Sequence, residues 1–175
     1  LKGSHKINRI IDDAQPVIAW HPNSDILSFT EDIRGKLNLT FYSLESGKST
    51  RKELFEIDQI LDMDFDNGGK QMVFSAVDNG QTDLYRYYVV GNRQVKLTDD
   101  SFDDLNPRFV KNDRAVVFSS NRKDEKLIKG KKEKGAAGTY DIFLYYLKDE
   151  GGYLEQITFT PEYNEFESFE YGSDK

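Results

Sequence analysis

Cysteine is absent from the 175 residues, so disulfides and thiolate metal sites are excluded. Histidine is nearly absent: His5 and His21 stand too far apart for a two-histidine metal pair. No stretch approaches the roughly 20 apolar residues of a membrane-spanning helix, so no membrane insertion by this segment is expected. Basic charge is in deficit, with 24 Lys and Arg against 31 Asp and Glu and a formal net charge of −7. That argues against nucleic acid, which demands a basic face. No G-x-S-x-G elbow, H-E-x-x-H or P-loop occurs, so no catalytic residue, metal ligand or cofactor is expected. The chain opens on Leu1 with no secretory n-region or h-region. The expectation is an internal piece of a larger protein, unable to close a ring alone.

What is abundant is aromatic: 12 Phe and 10 Tyr against 4 Pro, a bias that favours strands. These residues recur. Trp20, Phe65 and Phe109 are separated by 45 and 44 residues, and so are Phe29, Phe74 and Phe118. Leu39, Leu84 and Ile142 form a third column with gaps of 45 and 58, which places about 14 extra residues in the last unit. Leu54, Leu97 and Ile157 form a fourth. A period near 44 without helical patterning marks a repeat array.

Each unit reads as four short strands. In the second they cover roughly Ile60–Phe65, Gln71–Ser75, Thr82–Val89 and Arg93–Thr98, bounded by the turn formers "DNGG", "DNGQ" and "VGN". The second strands, "DILSF", "QMVF" and "AVVF", are apolar on consecutive residues and so demand cover on both faces. Four antiparallel strands per 40–45 residues, packed face to face, describe a β-propeller. A β-helical solenoid is the competing array, but its strands are parallel and its repeats shorter. The fold expected is therefore all-β: a β-propeller segment of about three four-stranded antiparallel blades plus parts of two flanking blades. Residues 1–12 supply the outer strand of an incomplete preceding blade. Blades follow at 13–55, 56–98 and 99–160, the last with a Lys-rich loop insertion at 123–138. Residues 161–175 start a further blade. Trp20, Phe29, Phe65, Phe74, Phe109 and Phe118 are expected to be buried between or within blades.

"KLTDDSFDDLNPRF", "AVVFSSNR" and "TYDIFLYYL" resemble, in that order, the repeat of TolB-type (WD-like) propellers. The second unit resembles it through "MVFSAVDNG" and "TDLYRYY", with Met63 where the pattern has Pro. The resemblance implies a non-catalytic module binding a protein or peptide, part of a larger bacterial envelope protein, periplasmic or otherwise exported. The alternative it admits is the propeller of a prolyl-oligopeptidase-type serine peptidase whose catalytic domain lies outside this chain. A carbohydrate-cleaving propeller is a third class, without a convincing carboxylate pair.

Three stretches carry charge. "DMDFD" (Asp62, Asp64, Asp66) lacks the Gly and distal Glu of an EF-hand loop. As a strand it puts Asp62 and Asp64 on one face, toward the central channel. "DDSFDD" (Asp99, Asp100, Asp103, Asp104) joins one blade to the next, and is either turn chemistry or a seat for a cation or basic partner. The insertion, with Arg122, Lys126, Lys129, Lys131 and Lys132, is either a solvated loop or a docking element for an acidic partner. Connectivity puts it on the same face as "DDSFDD".

Overall fold

The computed structural model describes residues 16–122, 138–148 and 152–171. The expected strand at 1–12, most of the Lys-rich insertion, and Lys126, Lys129, Lys131 and Lys132 lie outside the described residues.

The described residues form three four-stranded sheets and no helix. The first holds β1 (Ile18–Trp20), β2 (Ile26–Asp32), β3 (Leu37–Ser43) and β4 (Ser49–Glu53). The second holds β5 (Gln59–Phe65), β6 (Gln71–Asp78), β7 (Gln81–Tyr88) and β8 (Arg93–Lys96). The third holds β9 (Asp104–Val110), β10 (Ala115–Ser120), β11 (Asp141–Leu147) and β12 (Gly152–Gln156). Every sheet is an antiparallel meander in chain order. First strands neighbour one another across sheets, β1 beside β5 and β5 beside β9. This is the arrangement of propeller blades, with first strands innermost. Residues 161–171, expected to start a further blade, form no strand.

The core lies between the sheets. Between the first two, Leu39 of β3 meets Met63, Phe65, Met72, Phe74 and Tyr87 of the second sheet. Between the second and third, Val73 and Leu84 meet Val116, Phe118, Phe143 and Tyr145. Thus Met72 and Phe74 face one neighbour while Val73 faces the other, which is why β6 is buried along consecutive residues. Burying each such ring or branched chain contributes roughly 1.5–3 kcal/mol.

Of the six aromatics expected inside, Phe65, Phe74 and Phe118 are buried and Phe29 and Phe109 are half-buried. Trp20 is a correction, being 60% exposed. It occupies the repeat position of Phe65, whose ring meets Phe41 and His21 of the preceding sheet. Among the described residues no sheet precedes β1 to cover Trp20 in the same way.

Two sequence details have local causes. The Thr that closes the Leu-Thr and Ile-Thr strand ends accepts a backbone N–H from the third strand. Leu84 N donates to Thr98 Oγ1 at 2.9 Å, and Ile142 N to Thr158 Oγ1 at 2.8 Å. Pro107 sits in an inner strand because the pairing of β9 with β10 shifts there, and Asn106 adopts φ 53°. A bulge is one of the few strand positions that tolerates a residue without an N–H.

Candidate functional site

Arg122, where the described residues stop before the insertion, lies beside the acidic loop "DDSFDD", at the meeting of a blade-to-blade loop and the end of a second strand. There the acids are engaged within the chain. Asp104 is fully buried and accepts Arg122 Nη2 through both oxygens at 2.6 Å. Arg122 is 8% exposed, lies 3.3 Å from Asp100 Oδ2, and stacks over Phe118 and Phe143. The structure thus turns Asp104 and Arg122 inward, because "LNPRF" and "FSSNR" run antiparallel and bring the start of β9 beside the end of β10. Burial pushes the Asp104 carboxyl up to about 6, opposed by the Arg122 charge and by hydrogen bonds from Ser120 and Thr98.

Asp103 accepts Asn121 Nδ2 at 3.3 Å and Gln81 Nε2 at 3.3 Å, while its N–H donates to Asn121 Oδ1. Asp100 caps the N–H of Phe102 at 2.9 Å. Asp99 is the solvent-facing member, with its side chain 83% exposed and 2.8 Å from Lys96 Nζ. Lys96 also lies 3.0 Å from Asp83 Oδ2. The Asp83 carboxylate is buried without an aligned hydrogen-bond donor, so the ammonium compensates it by charge rather than by directed bonding. The hydrogen bond that Lys96 donates to Asp99 leads the causes that hold the Lys96 pKa above its ordinary value.

Along the inner strands the carboxylates of "DMDFD" take different parts. Asp62 Oδ2 accepts Arg108 Nη1 at 2.7 Å and Asn106 Nδ2 at 3.3 Å from the next blade. Asp64 Oδ2 accepts the N–H of Phe109 at 2.9 Å. Burial raises the Asp64 pKa, against the pull of the Phe109 N–H and the Arg108 charge. Asp66 is buried in its turn, with Oδ1 accepting the N–H groups of Lys70 and Gln71 at 2.7 and 2.9 Å. Asp66 is therefore a turn cap, separated in role from the other two. Among the described residues no group of three or more His, Asp or Glu is placed to hold a metal ion.

The turns after the first strands zip the opposite face. Asn23 Nδ2 donates to Asn67 O at 2.8 Å, and His21 Nε2 lies 3.1 Å from Gly69 O. Asn67 in turn donates its N–H and its Nδ2 to Asp113 at 3.0 and 2.9 Å. Gly69 has φ +65°, and a Cβ there would sit 2.0 Å from His21 Nε2. Glycine is required on both counts. Beside this zipper a cleft of about 310 Å³ opens between β5, β9 and the segment after β12, lined by Asp64, Asn67, Arg108, Phe109, Asn112, Phe169 and Glu170.

The repeat offered a signal for part of this network. Asn106 and Arg108 stand 44 residues after Asp62 and Asp64, so neighbouring inner strands carry complementary side chains at matched positions. Asn67 and Asp113 stand in equivalent turns 46 residues apart, the same offset as Asp62 and Arg108, whereas Glu170 had no such signal, its partner Lys111 lying 59 residues away.

No protein-family model and no curated protein matches the chain. Solved structures do. TolB from Acinetobacter baumannii is similar with TM-score 0.61 and 18% identity, over 84% of this chain and 33% of that one. The AtxE2 isopeptidase is similar with TM-score 0.54 and 12% identity, over 82% of this chain and 29% of that one. The chain thus spans about a third of the length of these structures. At such identities the likeness shows the fold, a TolB-like β-propeller.

Proposed function

We propose that this chain is a non-catalytic propeller module that binds a protein, peptide or other ligand. The observation that carries the reading is the state of the channel-wall carboxylates. Asp62 holds Arg108 and Asn106, and Asp64 holds the Phe109 N–H, all across one blade joint. Acid–base hydrolysis by two carboxylates asks for a pair poised together on a substrate, whereas Asp62 is committed to Arg108 and Asn106 and Asp64 stands alone with one oxygen on a backbone N–H. The TolB-like repeat supports the same reading and extends it to a bacterial envelope protein, periplasmic or otherwise exported.

A second reading stands beside it. The likeness to an isopeptidase favours a propeller serving a serine peptidase domain. An encoding gene that continues into a G-x-S-x-G domain would favour that alternative.

The binding reading is tested by titrating the immobilised chain with a panel of peptides and oligosaccharides. Saturable binding of at least one class is expected. A panel with no saturable member contradicts the proposal.

A further inference from the structure

We propose that the cleft between β5, β9 and residues 169–170 seats the basic side chain of a lysine or arginine presented by an extended peptide. This rests on the binding-module reading and names the chemistry of its ligand.

Among the described residues, the charge lining the cleft is unbalanced. Arg108 is the cation of the lining, and its Nη1 is held 2.7 Å from Asp62 Oδ2. Among the described residues Asp64 and Glu170 make no side-chain ion pair, and the Arg108 charge only partly offsets Asp64. Each holds a backbone N–H through one oxygen: Asp64 Oδ2 takes Phe109 N at 2.9 Å and Glu170 Oε2 takes Lys111 N at 2.8 Å. A backbone N–H carries only a partial charge and cannot neutralise a full carboxylate. Lys111 does not supply the missing cation, since its Nζ turns to Tyr146 Oη at 2.8 Å.

The shape agrees with one side chain. A volume of about 310 Å³ stands at the low end of the ~300–1,000 Å³ typical of ligand sites. Phe109 and Phe169 line the same space, and phenyl faces attract ammonium and guanidinium groups. Phe169 is 73% exposed, so a long aliphatic stem would bury part of its ring.

The test is calorimetric titration with capped Gly-Gly-X-Gly-Gly peptides, where X is Lys, Arg, norleucine or Glu. The proteins are the chain, Asp64→Asn, Glu170→Gln and, as control in the β2–β3 turn away from the cleft, Asp32→Asn. Asp64→Asn keeps an oxygen to accept the Phe109 N–H, and Glu170→Gln alters an exposed residue, so melting curves should match the parent. The Lys and Arg peptides are expected to bind at least tenfold more tightly than norleucine or Glu. Asp64→Asn and Glu170→Gln should each weaken them at least fivefold, and Asp32→Asn should leave them unchanged. Norleucine binding as well as Lys, or Lys binding indifferent to both cleft variants, overturns the inference. Binding of only the Glu or norleucine peptide overturns it while the binding-module reading stands. If no peptide binds, the inference falls, and the broader panel above decides the module reading by itself.

Discussion

Arg108 of β9 holds Nη1 2.7 Å from Asp62 Oδ2 of β5, so consecutive repeats place opposite charges at nearly the same point of their inner strands. The joint between the second and third blades is thereby electrostatically keyed as well as apolar. Both side chains are 34% or less exposed, a setting in which an ion pair contributes modestly. A double-mutant cycle with Asp62→Asn and Arg108→Gln, read by urea unfolding, should give a coupling of about 0.5–1 kcal/mol. The coupling should shrink in 1 M salt.

Phe74 and Trp20 separate packing from repeat membership. Phe74 is fully buried and stacks on Tyr87 with centroids 5.5 Å apart. Phe74→Ala should cost about 3–5 kcal/mol. Trp20→Ala should change stability by less than about 0.5 kcal/mol, as surface changes do. Both are read from denaturant midpoints.

Thr98 closes the outer strand of the second blade by accepting the Leu84 N–H, and both residues are buried. Thr98→Val keeps the shape and removes the acceptor. A buried N–H left without a partner should cost about 1–3 kcal/mol. Hydrogen exchange at Leu84 should accelerate accordingly.

Asp104 gives a pH signature of definite sign. Burial lifts its folded pKa to about 6 from an ordinary 3.8. The folded state therefore binds this proton more tightly than the unfolded state. The stability contributed by protonation is fully present below about pH 3.8 and is lost as pH rises through about 6. Asp104→Asn lacks this titration. The stability of the parent minus that of Asp104→Asn should fall between pH 4 and 6 and be level above pH 7, as read from urea midpoints across that range.

The architecture was legible because sheet-building residues recur with the blade. The columns of Phe65 and Phe74 mark strands whose partners lie within about 25 residues, and hairpin pairing is a local property. The site was less legible because its contacts cross between blades. That Asp104 faces Arg122 and not solvent depends on how β9 and β10 align. That Glu170 caps Lys111 depends on where the chain runs after β12, beyond any strand. Trp20 shares a column with Phe65, yet burial is decided by the neighbouring sheet, which a column cannot report.

The central proposal is that the inner-strand carboxylates Asp62 and Asp64 hold blades together and perform no chemistry. The direct measurement is mass spectrometry of peptide, ester and oligosaccharide substrates incubated with the purified chain, with Asp62→Asn and with Asp64→Asn. The account predicts intact substrates, recovered in all three mixtures as in a protein-free control. A product that accumulates with the parent chain and disappears with either substitution, while melting curves show both variants folded, would contradict it.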